Sequence, residues 1–71
     1  MKVRFQRKTQ SYSEYRIIDG RECVGRVQVY FTGRMVARRC DKIGKRAAIF
    51  MVRDFIDGQV KRAIGYLHSA A

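Results

Sequence analysis

Two cysteines, Cys23 and Cys40, and one histidine, His68, are all that this 71-residue chain offers toward a disulfide framework or a metal site. That supply excludes a multi-disulfide scaffold and falls short of the four ligands of a structural zinc finger. So sparse a use of cysteine fits a reduced, cytoplasmic setting. Long apolar runs are also missing, so no membrane-spanning segment is expected and no membrane partner follows. The opening Met-Lys-Val-Arg-Phe-Gln-Arg-Lys is charged throughout and does not read as a signal peptide. Acidic residues are scarce as well: six Asp and Glu stand against sixteen Lys and Arg, a formal charge of +10.

That charge is unevenly placed. Residues 1–46 carry 13 basic and 4 acidic side chains, while residues 47–71 are close to neutral at +1. A polyanionic partner meeting the N-terminal two-thirds is the first functional expectation. The length allows one small domain, residues 1–71, which buries only about 60% of its unfolded surface.

The most regular stretch is Glu22-Cys-Val-Gly-Arg-Val-Gln-Val-Tyr-Phe-Thr32. Cys23, Gly25, Val27, Val29 and Phe31 fall on one side, and Arg26, Gln28 and Tyr30 on the other. Such period-two alternation in a Val- and aromatic-rich segment predicts a half-buried central strand. Lys2 to Lys8 and Tyr12 to Ile18 alternate in the same way, separated by the polar turn Thr9-Gln10-Ser11. Asp19-Gly20 marks a hairpin. A three-residue loop, Asp19-Gly20-Arg21, sets Ile17 opposite Cys23 and Tyr15 over Gly25, which brings apolar groups together. A two-residue Asp19-Gly20 loop would set them against Arg16 and Glu14. Met35 to Cys40 reads as the last strand: a three-residue loop, Thr32-Gly33-Arg34, turns Met35 and Ala37 inward and is preferred, since a two-residue Gly33-Arg34 loop turns Val36 inward and places Arg38 opposite Val29.

From Gly44 the apolar spacing changes to three and four, through Ala47, Ala48, Met51, Val52 and Phe55. Asp57-Gly58 is a candidate break or cap, after which Val60, Ala63, Ile64 and Leu67 resume helical spacing. The fold class predicted is α+β: an antiparallel β-meander of three to four strands with one C-terminal helix, continuous or split at Asp57-Gly58, packed on one face. The expected core is Val3, Phe5, Tyr15, Ile17, Cys23, Val27, Val29, Phe31, Met35 and Ala37 from the sheet. Ala48, Met51, Val52, Phe55, Ile64 and Leu67 face it from the helix. Ile49, Phe50 and Ile56 exceed what one stripe needs and mark a candidate homodimer contact.

Function is expected on the opposite sheet face. Parity gives it Arg4, Gln6, Lys8, Tyr12, Glu14, Arg16, Val24, Arg26, Gln28, Tyr30, Arg34 and Arg38. Arginine binds phosphate bidentately and reads guanine, glutamine reads adenine, and tyrosine stacks or donates to phosphate. Lys42, Lys45 and Arg46 near the helix start are unfavourable against the macrodipole unless a phosphate docks there. Gly44-Lys45 lacks the spacing of a phosphate loop. The candidate nucleic-acid contacts are therefore Arg4, Arg16, Arg26, Gln28, Tyr30, Arg34, Arg38, Lys45 and Arg46, with duplex DNA expected ahead of RNA.

Catalysis is not expected. Cys23 faces the predicted core, His68 lies near the chain's end, and Asp54 and Asp57 sit among apolar or basic neighbours. Cys40 reads as a partly exposed thiol beside Arg38, Arg39 and Lys42, with no His or carboxylate at a defined spacing to activate it. No cofactor is implied.

The hairpins around Asp19-Gly20 and Gly33, followed by Asp41-Lys-Ile-Gly-Lys-Arg-Ala-Ala48 leading into an apolar helix, resemble the arm-type DNA-binding domain of tyrosine integrases. The resemblance covers about residues 12–57 and implies major-groove reading by the exposed sheet face. In size and style the chain is also similar to small phage-encoded inhibitors, anti-CRISPR proteins among them. That similarity implies an alternative partner, an acidic or nucleic-acid-binding host protein met by the same basic face.

Overall fold

In the computed structural model, which describes residues 1–70 and side chains as far as Arg62, the chain forms four strands and one helix. β1 is Lys2–Lys8, β2 Tyr12–Asp19, β3 Glu22–Tyr30, β4 Met35–Arg38 and α1 Lys45–Ala70. The strands lie side by side in chain order, each antiparallel to the next, in one open sheet. The predicted α+β meander is thus present with all four strands. The expected alternative of a split helix is not: α1 runs unbroken through Asp57-Gly58. No helix among the described residues is long and apolar enough to cross a membrane.

The core lies between the odd-numbered face of the sheet and one stripe of α1. Ile17 and Val27 on adjacent strands and Val52 on the helix are fully buried, joined by Ala37 and Ala48. Val3, Tyr15, Val29, Met35 and Met51 pack around them. Tyr15 stands edge-on between two rings, with centroids 5.7 Å from Phe5 and 6.0 Å from Phe55. Ala48, Met51, Val52, Phe55 and Ile56 follow the i, i+3, i+4, i+7, i+8 spacing of a helix lying on one face.

Local turn chemistry sets the registers, and it corrects the expected ones. The β2–β3 loop is Gly20-Arg21, closed by Asp19 opposite Glu22. Gly20 has φ +64° at the first loop position, as a two-residue type II′ turn requires. Continued along the hairpin, that loop would pair Tyr15 with Arg26. A bulge at Val24 inserts one residue, so Ile17 instead opposes Gly25 and Tyr15 opposes Val27. The expected parity is restored two residues further along β3. The bulge also exchanges two side chains: Val24 is buried, and Cys23, expected in the core, is exposed. The room above Gly25 is filled by Ile17, Cys40 and Ile43 rather than by Tyr15.

The β3–β4 loop falls one position earlier than expected. Tyr30 N–H donates to Arg34 C=O at 2.8 Å, which leaves Phe31-Thr32-Gly33 as the loop. Gly33 takes the left-handed position with φ +92°, the usual end of a three-residue hairpin loop. Phe31 is lifted out of the strand and is 66% exposed, not core. Met35 and Ala37 still point inward, as expected.

Cys40 is the other reversal. Expected as a partly exposed thiol, it is buried, and its thiol donates to Arg38 C=O at 3.0 Å. The chain leaves β4 through Arg39 (φ +52°) and closes a turn in which Ile43 and Gly44 N–H both donate to Cys40 C=O. Burying this corner anchors the helix start to the sheet. The expected dimer contact shrinks: Ile49 and Ile56 pack against the core, while Phe50 stays 69% exposed. Phe5 lies on the helix-covered face but at its edge, 53% exposed. Ala63, Ile64, Leu67 and His68 have side chains outside the described residues.

Two outcomes test this fold. Ile17→Ala should cost about 2–5 kcal/mol in chemical denaturation, whereas Cys23→Ala should change stability by less than about 0.5 kcal/mol. Gly58 sits inside α1 with open space where a Cβ would go. Gly58→Ala should therefore raise stability by about 0.5–1 kcal/mol, read as an increase in Tm.

Candidate nucleic-acid interface

Among the described residues no layer covers the even-numbered face of the sheet. Across it runs a row to which every strand contributes: Arg4 pairs with Arg16, Arg16 with Arg26, and Arg26 with Arg38. Neighbouring strands lie about 4.8 Å apart, so the four guanidinium stems form a line about 14 Å long. Like charges directly opposite one another in a sheet are destabilising, by roughly 0.2–1 kcal/mol for each adjacent pair. The isolated protein thus carries an unfavourable arrangement at the centre of its open face.

The adjacent row moderates it. Glu14 stands between Arg7 on β1 and Gln28 on β3. It is the one buried charged residue among the described residues, at 6% exposure, on a face that no helix covers. Only the surrounding long side chains can shield it, and Arg7 Nε lies 3.3 Å from its Oε2. Arg7 reaches this place through a second bulge, between Phe5 and Arg7, which reverses the parity of the end of β1. The expected position of Lys8 on this face is corrected accordingly. Lys8 aligns with Ser13 in the alternate set, and its ammonium lies 5.8 Å from the Phe31 ring. Counting parity from the first residue of a strand cannot detect a bulge, and so Arg7 was missed.

Gln28 is less free than its sequence position suggests. Its Oε1 accepts from Arg38 Nε at 3.1 Å and from Tyr30 Oη at 3.3 Å. Reading adenine would require that oxygen to accept from the base instead. Gln28 therefore fixes Arg38 and Tyr30. Each arginine has five donors and no acceptor. Arg16 Nε is buried with no hydrogen-bond partner among the described residues. The face as a whole is an array of donors.

At its outer end, Tyr30, Thr32, Arg34, Val36 and Arg38 line a shallow pocket of about 360 Å³. Tyr30 also packs against Tyr12, ring centroids 5.3 Å apart. The structure thus brings Arg4, Arg16, Arg26, Gln28, Tyr30, Arg34 and Arg38 onto one face. Lys45 and Arg46 stand apart. They open α1, which packs on the opposite face, and both are exposed. Gly44 precedes them without a capping side chain, and the first turn has no acidic residue. Lys42 is engaged by Glu22 in an ion pair.

No protein-family model matches the chain, no curated protein matches it, and no solved structure matches its fold. What the face can do must be read from its own chemistry.

Removing the central positive charge should expose the cost of the row. Arg26→Gln should raise stability by about 0.2–1 kcal/mol at low ionic strength, and the gain should vanish in high salt. Thermal melts at two salt concentrations measure it. A loss of stability at low salt would show that the arginines are held by contacts within the protein.

Proposed function

We propose that the open sheet face binds nucleic acid, with duplex DNA as the preferred form, and that the protein acts by binding rather than catalysis. The observation that carries this reading is the cross-strand row Arg4–Arg16–Arg26–Arg38. Four arginines in register crowd like charge on the face of the free protein, and an anion relieves it. A line of about 14 Å spans on the order of eight phosphate charges of a duplex, counting both strands. The donor-rich chemistry of the face matches phosphate oxygens and, in the major groove, guanine O6 and N7. A-form RNA hides its major-groove edges in a deep, narrow cleft, which favours DNA as the duplex met by a sheet face.

In this reading Arg4, Arg16, Arg26 and Arg38 contact phosphates, with Arg38 oriented by Gln28. Arg7 and Glu14 support the row from beside it. Lys45 and Arg46, in the other layer, are secondary.

The test is fluorescence anisotropy with a plain DNA duplex over a salt series. Four phosphate contacts predict a slope of log K against log salt of about −3 to −4. Arg26→Ala should make that slope shallower by about one and weaken all sequences alike. A flat salt dependence sinks the proposal. If DNA and RNA both fail to bind while an acidic host protein is captured through Arg16 and Arg26, the inhibitor reading takes its place.

A further inference from the structure

The arginine row accounts for one part of the exposed face and leaves the pocket at the β3–β4 end unused. That pocket differs in chemistry from the row. Its lining combines an aromatic ring (Tyr30), an aliphatic side chain (Val36), a hydroxyl (Thr32) and two guanidinium groups, Arg34 and Arg38. Tyr30, Val36 and Arg38 are strand positions of the open face, Arg34 is paired with Tyr30 at the hairpin's end, and Thr32 lies in the loop between them. The pocket is also held in shape. Tyr30 is braced by Tyr12 on one side and donates through its hydroxyl to Gln28, which in turn holds Arg38 Nε. Arg38 belongs to both features: it ends the arginine row and forms one wall of the pocket.

A continuous duplex backbone needs none of the apolar lining. A phosphate alone would need only the arginines. An aromatic ring and an aliphatic side chain beside two guanidinium groups suit a group with a flat π face and an attached phosphate. The volume, about 360 Å³, lies in the range of small-ligand sites, roughly 300–1,000 Å³. We infer that this pocket seats a single unpaired nucleotide of the bound DNA, its base against Tyr30 and Val36 and its phosphate between Arg34 and Arg38. The inference rests on the nucleic-acid reading above and narrows it. The preferred ligand is a duplex with an unpaired nucleotide at its margin, such as a tail next to the last base pair. The row follows the duplex and the pocket takes the unpaired residue. Stacking on an aromatic side chain strengthens single-strand binding by about tenfold or more per base.

The experiment compares two duplexes of one sequence, one blunt and one with a short unpaired tail carrying 2-aminopurine next to the last base pair. Affinity is read by anisotropy from a dye on the far end, and stacking by 2-aminopurine quenching. The wild-type protein should bind the tailed duplex about tenfold more tightly and quench the probe. Val36→Phe fills the pocket and should leave blunt-duplex affinity unchanged while abolishing both the preference and the quenching. Tyr30→Leu should also abolish the quenching, with circular dichroism confirming the fold of both variants. Arg26→Gln should lower affinity for both duplexes by the same factor and keep the preference. Equal wild-type affinity for blunt and tailed duplex, with a steep salt slope intact, overturns the pocket assignment and leaves the arginine row standing. Retained preference and quenching in a folded Val36→Phe variant overturns it too. Failure of the wild-type protein to bind either duplex overturns the nucleic-acid reading itself.

Discussion

Burial of Ile17 and Val27 beneath Ala48 and Val52 is the constraint on which the rest of this structure depends. A domain of this size has one core, and here that core has room for one face of the sheet. Once the odd-numbered side chains of β2 and β3 are committed to the helix, alternation leaves Arg16 and Arg26 no choice but the other face. Hydrophobic burial thus fixes the placement of the charges, although the charges themselves oppose the compact state. The aromatic trio Phe5, Tyr15 and Phe55 extends the same seam to β1, and Cys40 with Ile43 closes it where the helix begins.

On the open face the dominant effect is electrostatic. Coulomb repulsion between unit charges about 5 Å apart in water is on the order of 0.8 kcal/mol before salt screening. Three such neighbouring pairs matter to a domain whose whole stability is about 5–15 kcal/mol. Glu14 offsets part of this at the cost of burying a carboxylate, which is tolerable because Arg7 forms an ion pair with it. The face is therefore not a passively solvated surface. It holds one shielded anion that partly neutralises it and an excess of donors that the protein itself leaves unmatched.

Much of this was legible in the sequence, for a definite reason. Alternation records which face is buried wherever a strand runs regularly, and it placed Tyr15, Ile17, Val27, Val29, Met35 and Ala37 correctly. Helical spacing did the same for Ala48, Met51 and Val52. The misplacements cluster where the backbone departs from regularity. Val24 and Cys23 exchanged roles at one bulge, and at the other Arg7 joined the open face while Lys8 left it. Phe31 left the core because the loop that needed Gly33 at positive φ began one residue sooner. The arginine row was only partly visible. Each strand showed an arginine on the correct face, but their alignment depends on three registers at once. Gln28 illustrates a further limit: its residue type suggested base reading, and only the bonds to Arg38 and Tyr30 show that its oxygen is already in use.

The bulge at Val24 has an evolutionary corollary. It lies between the β2–β3 turn and the arginine row, and it works as a spacer that separates the geometry of the turn from the phase of the sheet. Gaining or losing one residue at that turn could be absorbed by losing or shifting the bulge, with Arg16 and Arg26 still side by side. The hairpin between β3 and β4 contains no such spacer: its pairing runs without irregularity from Val29–Met35 to Arg26–Arg38. A single-residue insertion within β4 ahead of Arg38 would rotate Arg38 to the helix side and cut the line of charges at its last member. Length variation should thus be tolerated at one end of this sheet and excluded at the other, an asymmetry that any natural variants of the chain would carry in their alignment gaps.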